Sequence, residues 1–326
     1  MNNKALSPFA TMIDTRGMSR EQWLEERRKG IGGSDAAAIL GKNSFKSAYT
    51  VWADKMGHSD DGDSEAARQG RDLESYVAQR FVEETGVKVA RVNSILVSKE
   101  YPWMRANIDR RIVSGGAFVG LECKTSRDIW LQKFKNGEYP LEYYAQCQHY
   151  MAVTGAPYWH LAVVVFGTDF KHFIVKRDEE DIASLIEEEK AFWENYVLKG
   201  LAPPIDGSKS TTDTIKSMYP DAEPRTARIH DEAILEQLWA VKAEKKRVEE
   251  REDALANAIR AEMGTAEQIA GLEYSVTWKN QQRSTFNQKK FNKAYPTINI
   301  TSFYDVTTSR VLRMKYEPLE LQKEAS

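Results

Sequence analysis

Apolar and polar positions along the chain follow two periodicities that divide it into helices and strands. Over residues 64–85 the side chains of Leu73, Val77 and Phe81 recur at one helical turn, and Gly86 follows as a stop. Glu74 sits at the edge of that stripe, where a carboxylate is costly unless it has a partner. Alternation with period two then predicts strands over 87–97, 103–113 and 118–125, with Ser114-Gly115-Gly116 as the last turn. A helix over 141–154 follows, then strands over 159–166 and 170–176, and Asp178 opens an acidic amphipathic helix to about residue 198. Near the start, Ser19 caps a helix over 19–29 that Gly30-Ile31-Gly32-Gly33-Ser34 interrupts. A second short helix begins at Asp35 and ends at Gly41, helical character returns over 50–56, and a polar loop covers 57–63. Helix, three strands, helix and strand make an α/β protein with a mixed central sheet flanked by helices.

The C-terminal third reads differently. Pro, Gly, Ser and Thr after Leu201 predict a linker over 205–228, separating a core of residues 1–204 from an accessory module of residues 229–326. A long helix is predicted over 229–263, closed by Gly264. Ile234, Leu238, Val241, Val248, Leu255 and Ile259 follow a three–four seam, which Lys245 and Glu252 interrupt. That pattern predicts a partly packed helix in place of a stable coiled coil. Leu272, Tyr274, Val276 and Trp278 alternate as a strand face, and a Lys-rich helix over 287–294 and a strand over 309–315 complete a small α+β module.

Composition sharpens this picture in two respects. With 326 residues, 41% hydrophobic and 29% charged, the chain has the make-up of a soluble globular protein. No apolar run approaches a membrane span, and the N-terminus has no apolar signal core, so a cytoplasmic location is expected. The two cysteines, Cys123 and Cys147, lack disulfide, zinc or iron–sulfur spacing. Charge is uneven. Residues 271–315 hold eight Lys/Arg against two acids, net +6, so the remainder of a chain with net charge −2 carries −8. A basic module laced with Trp278, Phe286, Phe291, Tyr295, Phe303 and Tyr304 can track phosphates and stack bases, or serve as a partner surface.

Candidate chemistry begins at Asp109, followed by Glu122-Cys123-Lys124 on the next predicted strand. Side chains alternate along a strand, so Glu122 and Lys124 share a face and Cys123 points into the opposite layer. Asp109, Glu122 and the Cys123 backbone carbonyl offer oxygens to a hard cation such as magnesium, and Glu74 is a further carboxylate brought to the same sheet edge. The ammonium of Lys124 beside them can orient a water or stabilise phosphate charge. A bare Asp…Glu-x-Lys also describes a surface hairpin with an ion pair. Two further features adjoin it. Arg28-Lys-Gly-Ile-Gly-Gly-Ser34-Asp35 combines glycines, a helix start and an arginine suited to an anion, or is a Gly-rich turn between helices. Gln146 and Tyr150 lie one turn apart on a helix and can reach a substrate backbone, or form its polar flank; His149, on another line, reads as structural.

Taken in order, Arg28-x-Gly-Ile-Gly-Gly-Ser34-Asp-Ala-Ala-Ala-Ile-Leu-Gly, Gly70-x-x-x-Glu74, Ile108-Asp109, Glu122-Cys-Lys124 and Gln146-x-x-x-Tyr150 resemble the YqaJ-type viral recombinase family. This is the phage lambda exonuclease-like branch of the PD-(D/E)XK nucleases, and the resemblance covers residues 18–198. It implies a restriction-endonuclease-like core and a magnesium-dependent exonuclease, with manganese able to substitute. Such an enzyme digests linear duplex DNA from its 5′ ends and leaves 3′ overhangs for recombination in a bacterial host cytoplasm. Carried over, Asp109 and Glu122 bind metal with the Cys123 carbonyl, Glu74 completes the set directly or through water, and Lys124 positions the attacking water. Arg28 and Ser34 hold the 5′ phosphate, and Gln146 and Tyr150 contact the substrate strand. The resemblance also implies a homo-oligomeric ring of three and a single-strand annealing protein as partner. Ile108 stands where the motif name has proline, and the region after residue 204 lies beyond the minimal exonuclease. A non-catalytic DNA-end scaffold and an endonuclease of the same fold are the other readings.

Overall fold

The computed structural model describes residues 7–58, 65–113, 116–127, 133–134, 136–224, 232–300, 303–305, 307 and 310–314. The chain divides into two units, residues 1–220 and 221–326.

In the first unit, β1 (Ala10–Asp14) precedes α1 (Arg20–Arg28), which Ser19 starts through a capping box with Gln22. Then come β2 (Ile31–Gly32), α2 (Gly33–Ile39), α3 (Ala48–Lys55) and α4 (Glu65–Thr85). Gly86 ends α4 at φ +70°, a conformation that a side chain disfavours. The strands follow: β3 (Val89–Arg91), β4 (Ser94–Ser98), β5 (Met104–Asn107), β6 (Arg110–Ile112) and β7 (Gly120–Ser126). After α5 (Leu141–Thr154) come β8 (Tyr158–Val165), β9 (Asp169–Lys176) and α6 (Glu179–Phe192), which runs into a π-helical turn, Trp193–Val197.

Two sheets replace the single mixed sheet expected from the strand pattern. One has the order β1-β4-β5-β2 and the other β3-β6-β7-β8-β9, and each mixes parallel and antiparallel neighbours. The runs predicted over 87–97 and 103–113 each break once and contribute a strand to both sheets. The second break, at Ile108-Asp109, carries the chain from one sheet to the other, so Asp109 stands at their junction. β1, which lies before the first predicted element, pairs antiparallel with β4. Of the predicted hairpin turn, Ser114 and Gly115 lie outside the described residues, as does most of the 57–63 loop.

The five-stranded sheet lies between α4 and α5. Trp159, Leu161, Val163 and Val165 of β8 face the α5 core, while Ala162 and Val164 face Val77, Ala78 and Phe81 of α4. Each such large apolar side chain contributes about 1.5–3 kcal/mol on burial. The same alternation sends Leu121 and Cys123 of β7 to the α4 side. Gly120 has no side chain because the Trp159 ring lies only 2.0 Å from where a Cβ would sit.

The predicted linker contains α7 (Lys209–Met218). Its Ser and Thr content looked like a loop, yet those hydroxyls dock it on α3: Thr211 Oγ1 donates to Ser47 Oγ at 2.7 Å and Thr214 bonds Thr50 at 2.8 Å. Residues 225–228 lie outside the described set.

The second unit holds α8 (Glu232–Met263), a hairpin of β10 (Gln268–Ala270) and β11 (Ser275–Thr277), and α9 (Gln288–Ala294), capped by Asn287. The packing of the long helix is confined to its C-terminal end: Met263 is its one buried residue among those described, Ala256 and Ile259 are half-buried, and the rest of the seam is exposed. The predicted 272–278 strand face is shorter, because Leu272 and Tyr274 lie before β11 and are exposed. Residues 310–314 of the expected last strand are not in a strand, with Val311 and Leu312 exposed. No helix among the described residues is long and apolar enough to cross a membrane.

Candidate active site

Glu122 and Lys124 project from the same face of β7, as their spacing requires, and Gln146 of α5 joins them. Lys124 Nζ lies 2.6 Å from Glu122 Oε1 and donates to Gln146 Oε1 at 2.8 Å, while Gln146 Nε2 donates to Glu122 Oε1 at 2.7 Å. Asp109 reaches β7 from the sheet junction, its Oδ2 accepting from the Cys123 N–H at 2.8 Å. Strand alternation, the parallel β7–β8 pair and the break before β6 therefore bring two carboxylates and one ammonium together.

Burial shapes their charge. Glu122 is 3% exposed, and its carboxyl is raised above its ordinary range by desolvation, with Lys124 opposing and Glu74 adding to the rise. Asp109 is raised well above its range, first by desolvation and then by the charges of Glu122 and Glu74. Desolvation alone would depress Lys124, but Glu122 and Asp109 outweigh it and raise its pKa, so it is a cation throughout the physiological range. The Lys124 ammonium also lies over the Tyr143 ring, 5.3 Å from its centroid.

The expected ligand set is brought together in part. Glu74 pairs with Arg110, which also donates to the Asp109 carbonyl at 2.6 Å. Its partner at the apolar edge is thus a guanidinium. Among the described residues no three His, Cys, Asp and Glu side chains converge closely enough to enclose an ion. Asp109 and Glu122 remain as a pair, and this pair fits a hard cation on one observation: Glu122 Oε2 is buried without a hydrogen-bond partner.

Gln146 and Tyr150, placed by the sequence at the substrate strand, are 6% and 3% exposed and bond inward instead. Gln146 Nε2 also donates to Tyr150 Oη at 2.8 Å, and Tyr150 donates to the Asn107 carbonyl at 2.8 Å, just before the sheet junction. The helix buries this face because its polar groups satisfy one another. His149 is structural, as expected: it is fully buried, with Nδ1 at 2.8 Å from Glu189 and Nε2 at 3.0 Å from the Arg105 carbonyl.

The Gly-rich turn abuts this face. A Cβ on Gly33 would lie 2.6 Å from the Tyr150 ring and 3.1 Å from Gln146 Cγ, so glycine permits the close approach. Ser34 Oγ accepts from Arg27 Nη2 at 3.3 Å, while Arg28 Nε is buried in an ion pair with Asp54 at 4.0 Å and has no hydrogen-bond partner. Asp35 is the hub that the sequence did not signal. Lys55, Lys46 and Arg27 approach its carboxylate at 2.7, 2.8 and 3.7 Å. Burial would raise Asp35, but these cations hold it well below its range. They come from separate segments, so only the fold reveals the cluster.

The YqaJ-like viral recombinase domain matches residues 22–157, the span that contains Arg28, Asp109, Glu122, Lys124 and Tyr150. Protein YqaJ of Bacillus subtilis (strain 168) is 36% identical over 288 residues, covering 86% of this chain and 90% of that protein. Among solved structures, the alkaline exonuclease LHK-Exo from Laribacter hongkongensis matches 55% of this chain and 93% of its own at 20% identity, with a TM-score of 0.46. A phage-related exonuclease from Haemophilus somnus 129PT matches 54% and 97% at 16% identity, with a TM-score of 0.40. By the extent and identity of its match to YqaJ, together with the domain match, this chain belongs to the YqaJ-like viral recombinase family.

Proposed function

We propose that the chain is a magnesium-dependent exonuclease that degrades one strand of linear duplex DNA from its 5′ end and leaves a 3′ overhang. The observation that carries this reading is the buried, unpartnered Oε2 of Glu122 beside Asp109, with the charged Lys124 on the same face. Two carboxylates forced together by burial repel each other, and a cation relieves that repulsion. Asp109 and Glu122, with the Cys123 carbonyl, would hold the magnesium ion, which supplies charge stabilisation at the scissile phosphate and a more acidic water. Glu74 supports the site from its pair with Arg110. Lys124 places a hydrogen-bond donor and a positive charge toward the phosphate or the attacking water. Gln146 fixes Lys124 and Glu122 in one orientation. Arg28, whose Nε is ion-paired with Asp54 but makes no hydrogen bond, and Ser34 are suited to the terminal phosphate.

The family resemblance adds a ring of three subunits around the duplex and delivery of the overhang to a single-strand annealing protein in the host cytoplasm. An endonuclease of the same fold differs in one respect that is easily tested. Linear duplex labelled at either the 5′ or the 3′ end, and covalently closed duplex, are incubated with protein and magnesium. The reading predicts early release of the 5′ label and an untouched closed circle. Cutting of the closed circle would show an endonuclease, and early loss of the 3′ label would reverse the polarity.

A further inference from the structure

Along α8, Ile234, Leu238, Val241, Val248 and Leu255 are 36–60% exposed, and they share one heptad frame in which Lys245 and Glu252 hold two inner positions. On a helix of 32 residues this spacing makes a seam for a second helix, and the charges decide which helix fits.

Two copies running in the same direction would bury Lys245 against the partner's Lys245 and Glu252 against the partner's Glu252. They would also set Glu244 beside the partner's Glu249. Like charges so placed oppose association. Reversing one copy removes these conflicts in one register. Ile234 then faces the partner's Ile259, and Leu238 faces the partner's Leu255. In the middle, Lys242 lies opposite the partner's Glu249 and Glu244 opposite the partner's Arg251, each pair occurring twice by symmetry. The stem of Lys245 covers the partner's Val248 while its ammonium reaches outward. A slip of one heptad in one direction would oppose Arg251 to the partner's Arg251. A slip in the other would oppose Glu244 to the partner's Glu244. The complementary register also lies near the middle of the helix, so almost its whole length is paired.

We propose that α8 pairs with the same helix of a second copy of this chain as an antiparallel coiled coil, with the two-fold axis passing between Lys246 and Arg247. The active-site residues take no part in this pairing, so it stands or falls separately from the nuclease reading.

The test uses the full-length chain. Leu238→Cys and Leu255→Cys are made in separate chains, mixed under reducing conditions and then oxidised, with the unsubstituted protein as control for Cys123 and Cys147. A disulfide-linked pair from the mixture and none from either variant alone is the expected result. Self-linking by each variant would mean a parallel arrangement, and no linkage would mean that another partner covers the seam; either overturns the proposal. In a second arm, Glu244→Arg weakens self-association by about tenfold or more, and mixing it with Arg251→Glu restores pairing. Unchanged self-association of Glu244→Arg would overturn the register.

Discussion

Gln146 donates from Nε2 to Glu122 Oε1 at 2.7 Å, linking a buried side chain of α5 to the carboxylate of β7. Its Oε1 takes a hydrogen bond from Lys124 at 2.8 Å, so one amide orients both charged groups of the Glu-x-Lys motif. On the proposed nuclease reading, Gln146 is a positioning residue. Gln146→Leu is expected to lower kcat for duplex digestion by about 10–100-fold while leaving KM for DNA nearly unchanged. Steady-state kinetics on linear duplex decide the matter, and a raised KM at constant kcat would return Gln146 to the substrate surface.

Arg28 ends α1 with its Nε buried, ion-paired with Asp54 but without a hydrogen bond, close to the turn that Tyr150 and Gln146 pack against. A guanidinium so placed gains most from an anion with two free oxygens. Arg28→Ala is expected to slow digestion of 5′-phosphorylated ends about tenfold more than that of 5′-hydroxyl ends. Equal slowing on both ends would remove Arg28 from a terminal-phosphate role.

His160 and His172 stack across β8 and β9, Nδ1 to Nε2 at 2.8 Å, against the edge of Phe81. Burial, and then the neighbouring His172, push the His160 pKa down to about 4, and burial lowers His172 as well. In the unfolded chain both protonate near pH 6.5. Between these values the unfolded state binds more protons, so the stability present above about pH 6.5 is lost as pH falls toward 4. Melting curves at pH 7 and pH 5 should show a Tm drop about 2–4 °C larger for the natural protein than for His160→Gln/His172→Gln. Equal drops would contradict the linkage.

The parts of this molecule that were legible in sequence depend on local periodicity. Glu122, Cys123 and Lys124 alternate as read, with Cys123 in the opposite layer, and Val77 and Phe81 form the buried stripe of α4. What stayed hidden depends on partners distant in sequence. The 103–113 run reads as one strand because its alternation does not reveal that Asn107 pairs in one sheet and Arg110 in the other. Ser and Thr of α7 resemble a linker until Thr211 donates to Ser47 and Thr214 hydrogen-bonds with Thr50. Likewise, neither the inward turn of Tyr150 nor the cations around Asp35 follows from spacing, since Asn107, Lys46 and Lys55 arrive from elsewhere.

The central claim is that Asp109 and Glu122 form a cation-dependent pocket with Lys124 as its fixed positive charge. It is tested most directly by measuring strand loss from 5′-labelled linear duplex over a range of magnesium concentrations for the natural protein, Glu122→Gln and Lys124→Ala. The account predicts magnesium-dependent digestion by the natural protein, none in chelator, and a loss of about 100-fold or more in each variant with the melting temperature largely kept. Undiminished digestion by either variant, or equal digestion by the natural protein in chelator, would contradict it.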